Sequence, residues 1–212
     1  MKIKNLHNDT TEILLYGVVD RYEISAKAVA DQLKTIRTNN IIVGLDSPGG
    51  DVFEGIAIYN LFKNHNAHIE MRIDSLAASI MSYIALAGDK ITISDNSYFM
   101  IHEVSSAVFG TSRDMRQQAD TMDKVQDMLV KSYSEKTGIT EENILKMLID
   151  ETWFNAEQAR TAGFVDEIIN AQSVENNFDL SVFNNVPKVL KNELKTRSPK
   201  KLPFKTPVPG EN

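Results

Sequence analysis

The sequence predicts an α/β layered fold, on three observations. Ile41-Ile42-Val43-Gly44-Leu45 is a short, almost wholly apolar run, the pattern of a strand covered on both faces of a parallel sheet. Strand-like and helix-like stretches alternate from Glu12 onward, the signature of βαβ units with right-handed crossovers. The chain has 212 residues, 42% of them hydrophobic, which suits one domain with a sizeable core.

The elements follow in order. Glu12 to Val19 reads as a first strand, with Ile13, Leu14, Leu15, Val18 and Val19 around Gly17. Ser25 is the N-cap of a helix whose inner face carries Ala28, Val29 and Leu33, with Ile36 closing it. Asn39-Asn40 makes a turn into the apolar strand. Asp46-Ser47-Pro48-Gly49-Gly50-Asp51 then breaks that strand sharply, and Val52 to Asn64 is helical, with Val52, Ile56, Tyr59, Leu61 and Phe62 inward. Ile69 to Ile73 alternates apolar with polar, a strand period. Ile80, Met81, Ile84 and Ala87 then recur at helical spacing up to Gly88. Lys90–Ile93 and Tyr98–Ile101 are two more strands about an Asp95-Asn96-Ser97 turn.

Glu103 to Thr111 reads as an extended segment. A long helix from about Ser112 to Lys136 follows, its apolar stripe formed by Met115, Ala119, Met122, Val125, Leu129 and Tyr133, with Gly138 as its stop. It is either an arm that meets another subunit or an outer-layer helix. Thr140 caps a shorter helix to Leu148, Ala156–Ala162 is helical up to Gly163, and Phe164–Ile169 is the last strand.

Composition narrows the function. There is no cysteine, so disulfides and thiolate metal sites are excluded, and a reducing cytoplasm suits the chain. The N-terminal stretch Met1 to Asp9 is polar and lacks the apolar core of a signal peptide. Leu76 to Gly88, the longest weakly polar run, is too short to span a bilayer. A net charge of −6 argues against nucleic acid as main partner. From Lys188 onward seven basic residues face two acidic ones, so this tail carries +5 and Met1–Pro187 carries −11. Five of the six prolines lie at Pro187 or later, a composition that stays extended rather than burying a core. The expected organisation is a domain over residues 1–187 followed by a disordered basic tail over 188–212, suited to docking on an acidic partner.

The chemistry is placed at Ser79. It stands where a strand passes into a helix, with Ala77 and Ala78 crowding the corner and free backbone N–H groups ahead of it. Such a serine is either a nucleophile or an ordinary helix cap. Pro48-Gly49-Gly50 puts backbone N–H groups at a strand's C-terminal edge, where ligands of open α/β sheets bind, or simply makes a tight turn. His102 is the one histidine that directly follows a buried-looking apolar run, which makes it either structural or a general base for an exposed serine.

Four blocks, in order, resemble those of the ClpP-type serine proteases. They are Asp46-Ser47-Pro48-Gly49-Gly50, Ala77-Ala78-Ser79-Ile80-Met81, Met100-Ile101-His102, and Trp153-Phe154-Asn155-Ala156-Glu157-Gln158-Ala159 with Gly163-Phe164-Val165-Asp166. The resemblance covers roughly Glu12 to Ile169. It implies a ClpP/crotonase-like layered fold of ββα units with a protruding handle helix, the handle spanning about 103–136. It also implies Ser79 as nucleophile, His102 as general base, and the N–H groups of Gly50 and Ile80 as oxyanion hole. Glu151 occupies the place of the family's aspartate, with Asp150 as the neighbouring alternative. No metal or organic cofactor is implied.

Glu151-Thr152-Trp153-Phe154 looks like the phage and prophage branch associated with head maturation. The partners implied are polypeptide substrates, a phage capsid or scaffold protein, and further copies of the chain in a ring, with a stacked double ring as one form. The polar N-terminus does not resemble the pore hairpin of housekeeping relatives, which argues against dependence on a Clp ATPase. The rival readings are a general Clp proteolytic subunit, a crotonase-like acyl-CoA enzyme, a Ser–Lys signal-peptide-peptidase-like enzyme, and a non-catalytic scaffold ring. The Ser–Lys reading lacks a lysine base and a membrane segment.

Overall fold

The computed structural model describes residues 2–6, 9–171 and 178–190. Lys191–Asn212, most of the expected tail, lies outside the described residues. The elements, in order, are β1 (Lys2–Leu6), β2 (Thr10–Tyr16), α1 (Ala26–Leu33), β3 (Asn40–Ser47), α2 (Val52–Lys63), β4 (His68–Ala78), α3 (Ile80–Ala85), β5 (Lys90–Ser94) and β6 (Tyr98–Ile101). Then come α4 (Ser112–Thr137), α5 (Glu141–Ile149), β7 (Thr152–Asn155), α6 (Ala156–Thr161) and β8 (Glu167–Ile169). This is the expected α/β class, a largely parallel sheet with helices in the crossovers. Among the described residues, no helix is long and apolar enough to cross a membrane.

The sheet runs β1-β2-β3-β4-β5-β8, with β6 and β7 branching from β4. Strands β2, β3, β4, β5 and β8 are mutually parallel, and β1 is antiparallel to β2. β4 makes the branch. Its Glu70–Ile73 half pairs with β5, and its Leu76–Ala78 half pairs with β6, in both cases in parallel. β7 closes this arm by running antiparallel to β6. The register between β3 and β4 shifts between Leu45 and Ser47, which lets β4 leave the main sheet and carry its C-terminal end outward. The ends of β3, β4 and β6 thus converge on one edge.

Local chemistry explains most boundaries. The Ser25 hydroxyl accepts from the Ala28 N–H to start α1, and the Asp51 carboxylate accepts from the Phe53 and Glu54 N–H groups to start α2. α4 opens on a reciprocal capping box between Thr111 and Asp114 and ends at Gly138. The main core packs Ile13, Leu15, Val43 and Leu45 of the sheet against Ile58 and Phe62 of α2 and Ile84 of α3.

Several expectations are corrected. The polar N-terminus contains a strand, β1, held by backbone pairing with β2, which an apolar pattern does not report. β2 ends at Tyr16, and Val18 and Val19 leave the sheet. β4 begins one residue before Ile69, at His68, and runs five residues beyond Ile73. Trp153 and Phe154 belong to a strand, β7, while Phe164 and Val165 are buried ahead of β8 rather than inside it. The apolar stripe of α4 buries only its second half. Leu129, Val130 and Tyr133 are in the core, whereas Met115 is 48% exposed and Ala119 is exposed.

A second, smaller core lies on the branch. Leu76 and Ala78 of β4 and Met100 of β6 pack with Leu180, Phe183 and Val186, with Trp153 and Leu190 at the margin. Burying three large apolar side chains of one short segment contributes roughly 1.5–3 kcal/mol each. Residues 188–190 continue this segment as a helical turn.

Candidate active site

The corner after β4 is strained on purpose. Ser79 has φ 56° and ψ −130°, a region that costs a non-glycine residue on the order of 1–3 kcal/mol. Three contacts hold it there. The Ser79 N–H donates to the Met100 carbonyl at 3.0 Å, which ties the corner to β6. The Ser82 hydroxyl donates to the Ser79 carbonyl at 2.5 Å and is itself 2.7 Å from the buried Tyr133 hydroxyl of α4. The outcome is a serine that lines a cleft rather than capping α3, since it makes no cap hydrogen bond.

The Pro48–Asp51 turn sits directly against that serine. Gly49 has φ 95°, and a Cβ there would lie 2.6 Å from the Ser79 Cβ and 2.8 Å from the Ala78 carbonyl oxygen. Gly50 has φ 145°, and a Cβ there would lie 2.1 Å from the Val19 carbonyl oxygen. Only glycine fits either place. Val19, freed from β2, clamps the turn by donating to the Gly49 carbonyl at 2.8 Å and accepting from the Asp51 N–H at 2.7 Å. Among the described residues, the N–H groups of Gly50 and Ile80 have no protein acceptor, and both residues line the cleft with Ser79.

His102 follows β6 and brings its Nε2 to 2.8 Å from the Ser79 Oγ. For the hydroxyl to donate, the ring must be neutral with its proton on Nδ1. Burial favours that neutral form and lowers the imidazole below its ordinary value; the charges of Glu151 and Glu103 oppose the shift. A neutral imidazole bonded to a serine hydroxyl, beside two free N–H groups, can run nucleophilic acyl transfer.

Glu151 lies beside His102 but is not bonded to it. The residue has φ 48° and is 6% exposed. Its Oε1 accepts from the Asn185 N–H at 2.6 Å and the Trp153 indole at 3.1 Å. Its Oε2 accepts from the Asn184 N–H at 2.8 Å and the Asn184 side-chain amide at 3.4 Å. Burial by itself would raise the carboxyl. The Asn184 and Asn185 N–H groups, the indole and His102 outweigh it and hold the group ionised, below its usual range. Asp150 instead caps the end of α5 with its residue exposed, and its carbonyl accepts from the Asn185 side chain at 2.8 Å.

Four of the expected residues therefore meet at one place: Ser79, His102, Gly50 and Ile80. Glu151 stands behind the histidine, held by other donors. The sequence alone does not mark those donors, Asn184 and Asn185, nor Phe183, Ser82, Tyr133 and Val19, as site residues. Ser82 was detectable as the polar residue of an otherwise apolar helix; the others carry no local signal. The cleft has a volume of about 600 Å³, with Met122, Val125 and Leu129 of α4 along one side and Val182 and Phe183 along another. Among the described residues, no group of three or more histidine or carboxylate side chains gathers as a metal site.

Comparison with known proteins bears on the family and the fold. The Clp protease family model matches residues 2–172. The chain is 30% identical over 170 residues to ATP-dependent Clp protease proteolytic subunit 3 of Streptomyces coelicolor, covering 77% of each. It is 34% identical over 136 residues to proteolytic subunit 1 of Corynebacterium jeikeium, covering 63% of this chain and 72% of that one. A solved structure of a ClpP1 variant from Listeria monocytogenes superposes with a TM-score of 0.68 at 24% identity, covering 76% of this chain and 92% of that one, a likeness of fold. The family match takes in every strand of the sheet and the whole Ser79–His102 corner, and on that ground the chain belongs to the Clp protease family of serine endopeptidases.

Proposed function

We propose that this chain hydrolyses peptide bonds with Ser79 as nucleophile, His102 as general base and Glu151 as the acid partner. The observation that carries this is the 2.8 Å contact between the Ser79 Oγ and the His102 Nε2 in the cleft. His102 takes the hydroxyl proton as Oγ attacks the peptide carbonyl. The N–H groups of Gly50 and Ile80 stabilise the tetrahedral oxyanion. Collapse breaks the C–N bond, and the imidazolium gives its proton to the leaving amine. Water, deprotonated by His102, then hydrolyses the acyl-enzyme and restores Ser79. Glu151 supplies negative charge that favours the imidazolium formed on the way. A crotonase-like reaction needs no serine on its base, so the same contact favours the peptidase.

The chain works as a ring-forming homo-oligomer, with the exposed first half of α4 as contact surface between subunits. Phe109 just before it is 96% exposed, an apolar residue suited to such a contact. The wording of Glu151–Phe154 supports a substrate among phage capsid or scaffold proteins, processed in the cytoplasm of the host. A second reading is a general proteolytic subunit partnered by a Clp ATPase, favoured by the names of the relatives, which are ATP-dependent proteolytic subunits. Wild type and Ser79→Ala, incubated with casein and with candidate head proteins, with and without a Clp ATPase and ATP, separate these. Cleavage of head proteins by wild type alone supports the first reading; cleavage that requires the ATPase supports the second. Equal behaviour of wild type and Ser79→Ala would leave only a non-catalytic scaffold.

A further inference from the structure

The segment 178–190 follows the last strand and lies beyond the residues that the family model matches. It nevertheless touches both His102 and Glu151. Leu180 and Val186 sink into the second core against Leu76, Ala78 and Met100, on the two strands that carry Ser79 and His102. Between these anchors the Phe183 N–H donates to the Leu180 carbonyl at 3.1 Å, a tight turn that presents three consecutive residues to the site. The Phe183 ring, 9% exposed, stands edge-on to the His102 imidazole, with centroids 5.4 Å apart and planes at 85°. It also stands against the Trp153 ring, at 5.7 Å and 80°. Asn184 and Asn185 then give their backbone N–H groups to Glu151.

This matters because, among the described residues, the imidazole is tethered by hydrogen bonding at Nε2 alone. Its one hydrogen bond among the described residues goes to Ser79, and none of the Glu151 bonds reaches it. An imidazole held at Nε2 alone is free to turn about its side-chain torsions. A ring packed against it at a right angle restricts that rotation and keeps water from it.

Resting on the reading of Ser79 and His102 as nucleophile and base, we propose that Phe183 is the positioning residue for His102, and that Glu151 acts on the imidazole by anchoring the segment that carries Phe183 as well as by its charge. Phe183 keeps Nε2 aligned on the hydroxyl, which is the alignment that the reaction requires. A misplacement of about 1 Å costs on the order of 100-fold in rate.

Burial is the main influence on the His102 imidazole and sets the sign of the pH effect, with the carboxylates around it acting the other way. Glu103 follows it in the chain, Glu151 precedes β7, and Asp51 and Asp179 line the same cleft from the N-cap of α2 and from the segment; all are carboxylates. Removing Phe183 admits water, so the imidazole is protonated more readily and the acid limb of kcat/KM moves to higher pH.

The test uses the full chain, a fluorogenic peptide and the variants Phe183→Ala and Phe183→Leu. Phe183→Ala is expected to lower kcat about 10- to 100-fold with KM changed less than about threefold, and to shift the acid limb upward. Phe183→Leu, which keeps apolar bulk, is expected to recover most of kcat. Thermal unfolding of each variant accompanies the kinetics. If Phe183→Ala does not fold, Phe183→Leu carries the test: a smaller loss with a limb shifted the same way supports the proposal. Wild-type kcat and an unmoved limb in the folded variants overturn it. A folded wild type whose Ser79 is not labelled by a fluorophosphonate overturns the hydrolase reading itself, and the proposal with it. Labelling of wild type with unchanged kinetics in Phe183→Ala removes only the role of Phe183.

Discussion

The two sides of His102 are built differently. Toward Ser79 the frame is mostly backbone-paired: β4 and β6 share a ladder that continues into the Ser79–Met100 bond, the Gly49–Gly50 turn is locked by Val19, and the Ser82 hydroxyl adds one side-chain bond. Toward Glu151 the imidazole meets side chains and a late segment, joined by an aromatic edge and by bonds that bypass it. The first side leaves the reacting atoms one geometry. The second depends on how well a short apolar turn stays docked, so its contribution is graded. Disturbing the first side should therefore abolish activity, and disturbing the second should tune it.

The largest expected effect is that of Ser79→Ala, a loss of activity on the order of 10⁶-fold with a folded protein, read by peptide hydrolysis and thermal unfolding. Gly49→Ala comes next, because its methyl would collide with the Ser79 side chain and the Ala78 carbonyl. We expect a loss of kcat above about 100-fold and destabilisation of about 1–3 kcal/mol, measured by kinetics and denaturant titration.

Glu151→Gln bears directly on the comparison. A triad acid bonded to its histidine costs about 10⁴-fold when made an amide. Glu151 makes no such bond, so a smaller loss of kcat, roughly 10- to 100-fold, is expected, while Asp150→Asn leaves kcat within about twofold. A loss near 10⁴-fold would show that Glu151 swings onto the imidazole during turnover. The pH profile gives a gentler check. Burial lowers the His102 imidazole, so the acid limb of kcat/KM should lie below the ordinary histidine value of about 6.5. A limb at or above that value would mean a more solvated ring. The smallest effect is that of Tyr133→Phe, which removes the hydroxyl behind Ser82 but not the Ser82–Ser79 bond. About 1 kcal/mol of stability and a few-fold change in kcat are expected.

These effects follow the division between local and distant information. Ser79 and the two glycines were legible because their neighbours in sequence are also their neighbours in space. A strand end, small residues and a helix start come in one run. His102 was legible as the histidine after an apolar strand. β1 was not, since Lys2–Leu6 has no apolar alternation and becomes a strand only because β2 offers it an edge. The first half of α4 carried an apolar stripe, yet among the described residues Met115 and Ala119 of that stripe stay exposed. Glu151 was named from a motif, yet three of its four side-chain bonds come from Asn184 and Asn185, more than thirty residues later. Phe183 looks in sequence like any aromatic among asparagines.

The amino-acid sequence by itself determined the strand and helix periods, the turns that demand glycine and the helix caps, because each depends on residues within a few positions of one another. Which carboxylate stands behind the imidazole, what holds that carboxylate, and which aromatic ring steadies His102 were decided only when the branch of the sheet and the segment after it packed together. Burial and hydrogen-bond geometry between distant residues belong to the assembled chain, and no local pattern encodes them.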